Sequence, residues 1–143
     1  MSVVARRYYL RGRAALERAD TDQAIEALAS AVDLVPHFID ARLAYSVALA
    51  RIGDTPRAAQ TLRSGIAHAR TDPARSALYL QLGEVSVQGG DFLAAIDSFD
   101  QAAMHPAWVK RAAAGRARAM AKMGRHGDAL AQLLLAVGRP PPP

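Results

Sequence analysis

The chain has 143 residues and a formal net charge of +5, and it is 51% hydrophobic but only 6% aromatic. Alanine and leucine therefore supply most apolar positions, which favours close helix packing over a sandwich or barrel. The absence of cysteine excludes a disulfide framework, a thiolate metal site and a thiol nucleophile. No run approaches the roughly 18 apolar residues of a membrane span, and arginines interrupt the opening segment where a secretory signal is apolar. We expect a soluble cytoplasmic protein with no membrane insertion, and the excess of arginine over lysine hints at a bacterial source.

The apolar pattern predicts eight helices, near residues 4–18, 21–34, 38–52, 55–70, 73–89, 92–104, 107–123 and 126–138. Short turns separate the two helices of each pair: Ala19-Asp20, Gly53-Asp54, Gly90-Asp91 and Gly124-Arg125. Glycine tolerates the left-handed conformation that ends a helix, and a polar residue can begin the next one. Thr55-Pro56 and Asp72-Pro73 have the pattern of an N-cap followed by proline in the first turn. Residues 140–143 are prolines, which predict an extended tail.

A fixed period relates these helix pairs. Four alanines lie 34, 37 and 34 residues apart, at Ala24, Ala58, Ala95 and Ala129. Two further series keep the same spacing: Gly12, Ser46, Gly83 and Ala117, and Leu28, Leu62, Phe99 and Leu133. A constant period of this length is typical of a repeat array. We expect a single domain over residues 1–139 with repeats near 5–38, 39–72, 76–109 and 110–143, small residues at helix contacts, and the leucine series in the core.

The third repeat carries a family pattern most completely, in Tyr79, Leu82, Gly83, Gly90-Asp91, Ala95, Phe99 and Ala102. This series resembles the tetratricopeptide repeat (TPR). The fourth repeat departs from it, with Ala113 where an aromatic residue is usual and Arg116 where a leucine is usual. The resemblance implies an all-α, right-handed superhelical solenoid of helix-turn-helix repeats. It also implies a non-enzymatic module for protein–protein interaction, acting as an adaptor, a scaffold or an assembly subunit.

No pattern indicates catalysis or a cofactor. The four histidines lie near different helix ends, without the i, i+4 partner of a helical metal site: His37, His68, His105 and His126. Gly89-Gly90 lacks the Gly-Lys-Ser/Thr sequence and the preceding strand of a phosphate loop. We therefore expect neither an enzyme nor a cofactor or metal site.

In TPR arrays the first helix of each pair lines a concave groove, so the resemblance selects a candidate partner-binding face. It consists of Arg6, Tyr9, Arg13, Leu43, Val47, Leu80, Glu84, Val87, Arg111, Arg118 and Lys122. Its middle is apolar and both ends are basic, which favours an amphipathic helix or extended peptide with acidic flanks as the partner. The lysine, arginine and asparagine clamp with which some TPR domains hold chaperone tails is largely missing.

Two alternatives and one further interface stay open. Basic residues around the seventh helix suggest nucleic-acid binding, but aromatic residues for base stacking are not expected beside them. A self-assembling structural protein is the other alternative. The last helix is so rich in leucine that part of it should remain apolar and open. We expect another chain, a second copy or a different subunit, to cover Leu130, Leu134, Leu135 and Val137, unless the proline tail or a continuation of the chain does so.

Overall fold

The computed structural model describes residues 2–139, which form eight α-helices and no strand. The helices are α1 (Val3–Glu17), α2 (Thr21–Leu34), α3 (Ile39–Arg51), α4 (Thr55–His68), α5 (Asp72–Gln88), α6 (Phe92–Ala102), α7 (Val109–Lys122) and α8 (His126–Ala136). A short 3-10 turn, Pro106–Trp108, precedes α7. The all-α prediction and the eight predicted helices are confirmed. The predicted proline tail, residues 140–143, lies outside the described residues.

The helices form two compact units, of which the first ends at Arg70 and the second begins at Thr71. Each unit contains two helical hairpins, α1–α2 and α3–α4 in the first, α5–α6 and α7–α8 in the second. Within each unit, the first helix of the second hairpin packs against both helices of the hairpin before it. The single domain over residues 1–139 and its repeat boundaries remain predictions.

Three of the four hairpin turns share the same local structure. Asp20, Asp54 and Asp91 each directly precede a second helix as its N-cap, and each side chain accepts a hydrogen bond from the amide three residues later, at 3.2–3.3 Å. The residue before each aspartate has a positive φ: 60° at Ala19, 81° at Gly53 and 83° at Gly90. This combination ends one helix and caps the next within two residues.

Two predicted caps are wrong by one position. The capping side chains are Asp54 and Thr71, which accept from the amides of Arg57 and Ala74. Thr55 and Asp72 are the first residues of α4 and α5, so each following proline is the second helical residue. Proline is tolerated at both positions because neither amide has a partner inside the helix.

The core of each unit depends on small residues opposite large ones. A Cβ atom at Gly12 would lie 2.5 Å from Cγ of Leu28, and one at Gly83 would lie 2.7 Å from Cε1 of Phe99. Gly115, on the following hairpin, lies against the same Phe99 ring. Leu28 and Phe99 are fully buried, which confirms the predicted role of small residues in helix contacts.

Leu133 does not join this core, although it keeps the same register. Leu28, Leu62 and Phe99 are fully buried, whereas half of Leu133 is exposed. Phe99 is covered by Gly83 of its own hairpin and by Gly115 of the next one. Within residues 2–139 no helix follows α8, so one side of Leu133 has no covering helix. The prediction that Leu133 belongs to the core is wrong for this reason.

We predict that Gly53→Ala lowers the free energy of unfolding by about 1 kcal/mol, because a Cβ atom is unfavourable at φ 81°. Gly127→Ala is the matched control: it adds the same methyl group in a helix, where nothing lies within 4 Å of the new atom. There alanine should raise the stability by a few tenths to about 1 kcal/mol. Urea unfolding of both variants measures the difference, and a stabilising Gly53→Ala would contradict the assignment of the turn.

Candidate functional site

The candidate partner-binding residues lie on the first helices of the four hairpins. In the first unit, α1 carries Arg6, Tyr9 and Arg13, and α3 carries Leu43 and Val47. In the second unit, α5 carries Leu80, Glu84 and Val87, and α7 carries Arg111, Arg118 and Lys122. Spacings of three and four residues place each set along one side of its helix. Each unit therefore presents its own candidate face, and the two faces differ in chemistry.

An aromatic pair and an arginine form the centre of the first unit's face. The Tyr9 and Phe38 ring centroids are 5.0 Å apart and the rings are tilted by 50°. Cζ of Arg13 lies 5.9 Å from the Tyr9 ring centroid, and its Nη1 donates to the Tyr9 hydroxyl at 3.4 Å. This hydrogen bond is the main reason that the pKa of Arg13 is raised above its ordinary value, with Glu17 and Asp40 adding to the effect. Arg13 is thus an exposed, permanently charged group held beside an aromatic ring.

Leu43 and Val47 occupy one side of α3 and are only partly buried. Beside Leu43 in the chain, Arg42 is buried, with 5% of its surface exposed. Its Nε donates to the Pro36 carbonyl at 2.5 Å, and its Nη1 donates to the Thr61 carbonyl at 3.0 Å. Burial lowers the pKa of Arg42, and the charge of Asp33 opposes this shift. Arg42 ties the start of α3 to the preceding loop and to α4, and so fixes the helix that presents Leu43.

The second unit's face contains an ion pair and a tryptophan. Nη2 of Arg111 lies 3.4 Å from Oε1 of Glu84, and Cζ of Arg111 lies 5.4 Å from the Trp108 ring centroid. The expectation that no aromatic residue lies beside the basic residues of α7 is therefore wrong. Trp108 is partly buried and packs against the core, and Arg111 lies over its ring. Sequence reasoning missed this contact although Trp108 lies within the predicted seventh helix, where its spacing of three residues from Arg111 is a signal that could have found it.

Leu80 is not part of an open face. Only 4% of its surface is exposed, and it belongs to the same buried cluster as Ala95 and Phe99. The prediction that Leu80 lines the partner-binding face is wrong, because its side chain fills the core of the second unit. Val87 also packs against this cluster but stays partly exposed. The apolar part of the second unit's face is consequently smaller than predicted.

Several cations on these faces are unpaired. Arg6, Arg118 and Lys122 are exposed and make no ion pair within residues 2–139. Their charges are therefore free to act on an approaching partner, whereas Arg111 already has Glu84.

The predicted interface on α8 is largely exposed. Leu130, Leu135 and Val137 expose 50%, 46% and 68% of their surface, whereas Leu134 is partly buried. Leu130 and Val137 share one side of the helix with the exposed Leu133, since they are three and four residues away from it. Leu135 is two residues from Leu133 and lies on the opposite side. The apolar side of α8 is therefore a stripe of Leu130, Leu133 and Val137.

Two searches of the described residues gave negative results. No group of three or more His, Cys, Asp or Glu side chains gathers as a metal site would require. None of the helices formed by residues 2–139 combines the length and apolar character needed to cross a membrane.

One protein-family model matches part of the chain. Residues 15–82 match the model described as tetratricopeptide repeat, and the two hairpins of each unit have the helix-turn-helix form of this repeat. The match covers slightly less than half of the chain and supports its resemblance to the TPR family. A search of curated proteins found no match.

Solved structures share the TPR fold. A crystal structure of MamA superposes with a TM-score of 0.75 at 19% identity, covering 96% of this chain and 74% of MamA. MamA from Desulfovibrio magneticus RS-1 gives 0.77 at 16% identity, covering 95% of this chain and 77% of that one. A thermophilic TPR protein from Thermus thermophilus gives 0.76 at 24% identity, covering 92% and 72%. At such identities the likeness establishes the fold alone.

We predict that Arg42→Met lowers the free energy of unfolding by about 2 kcal/mol, because methionine keeps an apolar stem but leaves the Pro36 carbonyl without its charged donor. Arg63→Met, on the exposed side of α4, is the control and should change the stability by less than about 0.5 kcal/mol. Chemical unfolding followed by circular dichroism distinguishes the two. Equal effects would show that the buried hydrogen bonds of Arg42 do not stabilise the fold.

Proposed function

We propose that the chain is a non-enzymatic protein-interaction module, an adaptor, scaffold or assembly subunit, that binds a partner peptide or helix on its first helices. The observation that carries this proposal is the face of the first unit. There Leu43 and Val47 remain partly exposed on α3, while α1 holds Arg13 beside Tyr9 at 3.4 Å. Apolar side chains that a repeat leaves open, next to fixed cations, suit a partner chain better than they suit solvent.

The chemistry of the faces suggests an amphipathic partner with acidic flanks. Leu43 and Val47 would bury its apolar side, and Arg6 and Arg13 would attract and orient its carboxylates. On the second unit, Arg118 and Lys122 are unpaired cations and Val87 supplies a small apolar contact. Burial on the first unit would therefore contribute most of the affinity, and the charges on both units would affect the association rate.

Nucleic acid fits these faces less well. Base stacking needs an open aromatic surface. The Trp108 ring lies under Arg111 and against the core, and the Tyr9 ring contacts Phe38 and Arg13. A protein partner uses both the charges and the partly exposed leucine and valine, whereas nucleic acid would use only the charges.

A library of random peptides displayed on phage and selected on the full chain provides the probe. We predict that Leu43→Asp combined with Val47→Asp weakens binding of a selected peptide at least about tenfold, since each buried aliphatic side chain contributes roughly 1.5–3 kcal/mol. Both positions are partly exposed, so the helical circular dichroism spectrum should be preserved.

The matched control is Leu93→Asp, which changes a leucine with 65% of its surface exposed on α6. This variant should bind as the wild type does. Selected peptides that bind the double variant unchanged, or a selection that yields no specific peptide, would contradict the proposed function.

We also propose that a second copy of the chain covers the apolar side of α8, through Leu130 and Val137 with Leu134 at its edge. Leu135 would stay outside this contact because it lies on the opposite side of the helix. A two-fold contact between identical apolar stripes is self-complementary. The single acidic residue of α8, Asp128, is already paired with Arg125 at 2.9 Å, so α8 offers no free carboxylate to a basic partner.

We predict that Leu133→Glu combined with Val137→Glu converts the chain to a monomer, because the charges would be buried without partners in the contact. Leu93→Glu introduces one charge at an equally exposed leucine elsewhere and should leave the mass unchanged. Light scattering after size exclusion, repeated across concentrations, measures the mass in solution. A wild-type chain that stays monomeric at high micromolar concentration would refute this interface.

A further inference from the structure

The outer side of α1, which we call the α1 outer face, is formed by Val3, Arg7, Leu10, Arg11, Ala14 and Arg18. All six residues are exposed. It lies on the side of the helix away from Gly12 and Ala15, which are buried. It borders the candidate face that contains Tyr9 and Arg13 but shares no residue with it.

The repeat period shows what the same positions do elsewhere. A step of 34 residues leads from Arg7 and Ala14 to Ala41 and Ala48 on α3. Two further steps, of 37 and 34 residues, lead to Ala112 and Ala119 on α7. These four alanines are fully buried. Those on α3 share clusters with Leu28 and Val32 of α2, and those on α7 share a cluster with Phe99 of α6. At these positions a first helix receives the second helix of the preceding hairpin.

Arg11 corresponds to an arginine at the contact between α6 and α7. The same period relates it to Arg116 of α7. Arg116 pairs directly with Asp100, which lies on α6, the helix that precedes α7. An arginine at this register position can therefore be part of a helix–helix contact when the neighbouring helix supplies a carboxylate.

On α1 the corresponding arginines have no carboxylate. Arg7 and Arg11 make no ion pair within residues 2–139, and Cζ of Arg11 lies 5.5 Å from the Tyr8 ring centroid. Val3 and Leu10, on the same side, expose 67% and 53% of their surface. A face that served only as a solvated surface would not need exposed valine and leucine between its arginines.

We propose that the α1 outer face docks an acidic amphipathic helix of a partner protein. The helix lies across the arginines of α1, farther out than α6 lies on α7 because Leu10 occupies the position of Gly115, and it places a carboxylate at Arg11 as Asp100 is placed at Arg116. Its apolar side covers Val3, Leu10 and Ala14, and a second carboxylate pairs with Arg7. Charge complementarity identifies this occupant, since the face contains three arginines and no acidic residue.

A second copy of the chain is a poorer occupant. The position on α8 that corresponds to Asp100 is Leu134, and the only acidic residue of α8 is already paired with Arg125. If α8 of a second copy lay on α1, Arg11 would be buried against a leucine without a countercharge. The α1 outer face and the apolar side of α8 are therefore not complementary, and copies should not stack head to tail.

The chain itself contains a suitable probe. A stapled, fluorescein-labelled peptide of residues 89–104 with Phe99→Ala carries Asp97 and Asp100 on a helix, and the alanine removes the ring that Leu10, unlike Gly115, would obstruct. Fluorescence anisotropy with the full chain at low salt should give saturable binding. Arg7→Glu combined with Arg11→Glu should weaken binding at least about tenfold, since two charge-assisted contacts become repulsive. The peptide with Asp100→Asn should also bind more weakly.

The matched control is Arg63→Glu combined with Arg70→Glu, which changes the net charge equally at exposed arginines of the first unit. This control should retain binding, and so should Leu43→Asp with Val47→Asp, which separates this inference from the proposed function. A peptide in which Asp97 and Asp100 are changed to lysine should bind the Arg7→Glu and Arg11→Glu variant better than the wild type.

Three results would overturn the proposal. The first is the absence of saturable peptide binding. The second is an equal loss in the control variant, which would indicate unspecific attraction by net charge. The third is stronger binding of duplex DNA or phosphatidylserine vesicles than of the peptide, with the same dependence on Arg7 and Arg11, which would assign the face to nucleic acid or to a membrane surface.

Discussion

The close approach of helices at small residues is the contact on which the rest of the structure depends. Phe99 fits between Gly83 and Gly115, where no Cβ atom separates the ring from either helix backbone. Leu28 occupies the same position opposite Gly12 in the first unit. Because α2 packs between α1 and α3, and α6 between α5 and α7, the side chains of these two second helices are largely buried in packing. The first helices keep one side free, and the candidate binding residues other than Leu80 lie there.

The sequence period predicted most of this fold, since both the turns and the core contacts recur with it. It could not predict the burial of residues whose neighbours lie outside the repeat. Leu133 has the register of Leu28 but is half exposed, and within residues 2–139 no helix follows α8 to cover it. Leu80 was assigned to the open face by register, yet its side chain fills the core beside Phe99. Arg42 acts through a loop carbonyl, which has no periodic signal.

The arginines illustrate how one residue type serves different purposes. Arg42 is buried and satisfies a loop carbonyl, Arg116 pairs with Asp100 at a helix joint, and Arg13 is exposed beside Tyr9. Composition reports only a net charge of +5, which by itself favours no class of partner over another. The positions of these charges are more informative, because apolar side chains accompany them on α1 and α3. This association of cations with open leucine and valine favours protein partners over nucleic acid.

Hydrogen exchange of the full chain, with and without a library-selected peptide, tests most directly whether the first helices bind the partner. In the first unit, amides of α1 and α3 should gain protection on binding, whereas those of α2 and α4 should change little. The packed second helices are already protected by their unit's core, so a large change there would require a different binding mode. Protection confined to α2 and α4, with α1 and α3 unchanged, would contradict the assignment of the binding face.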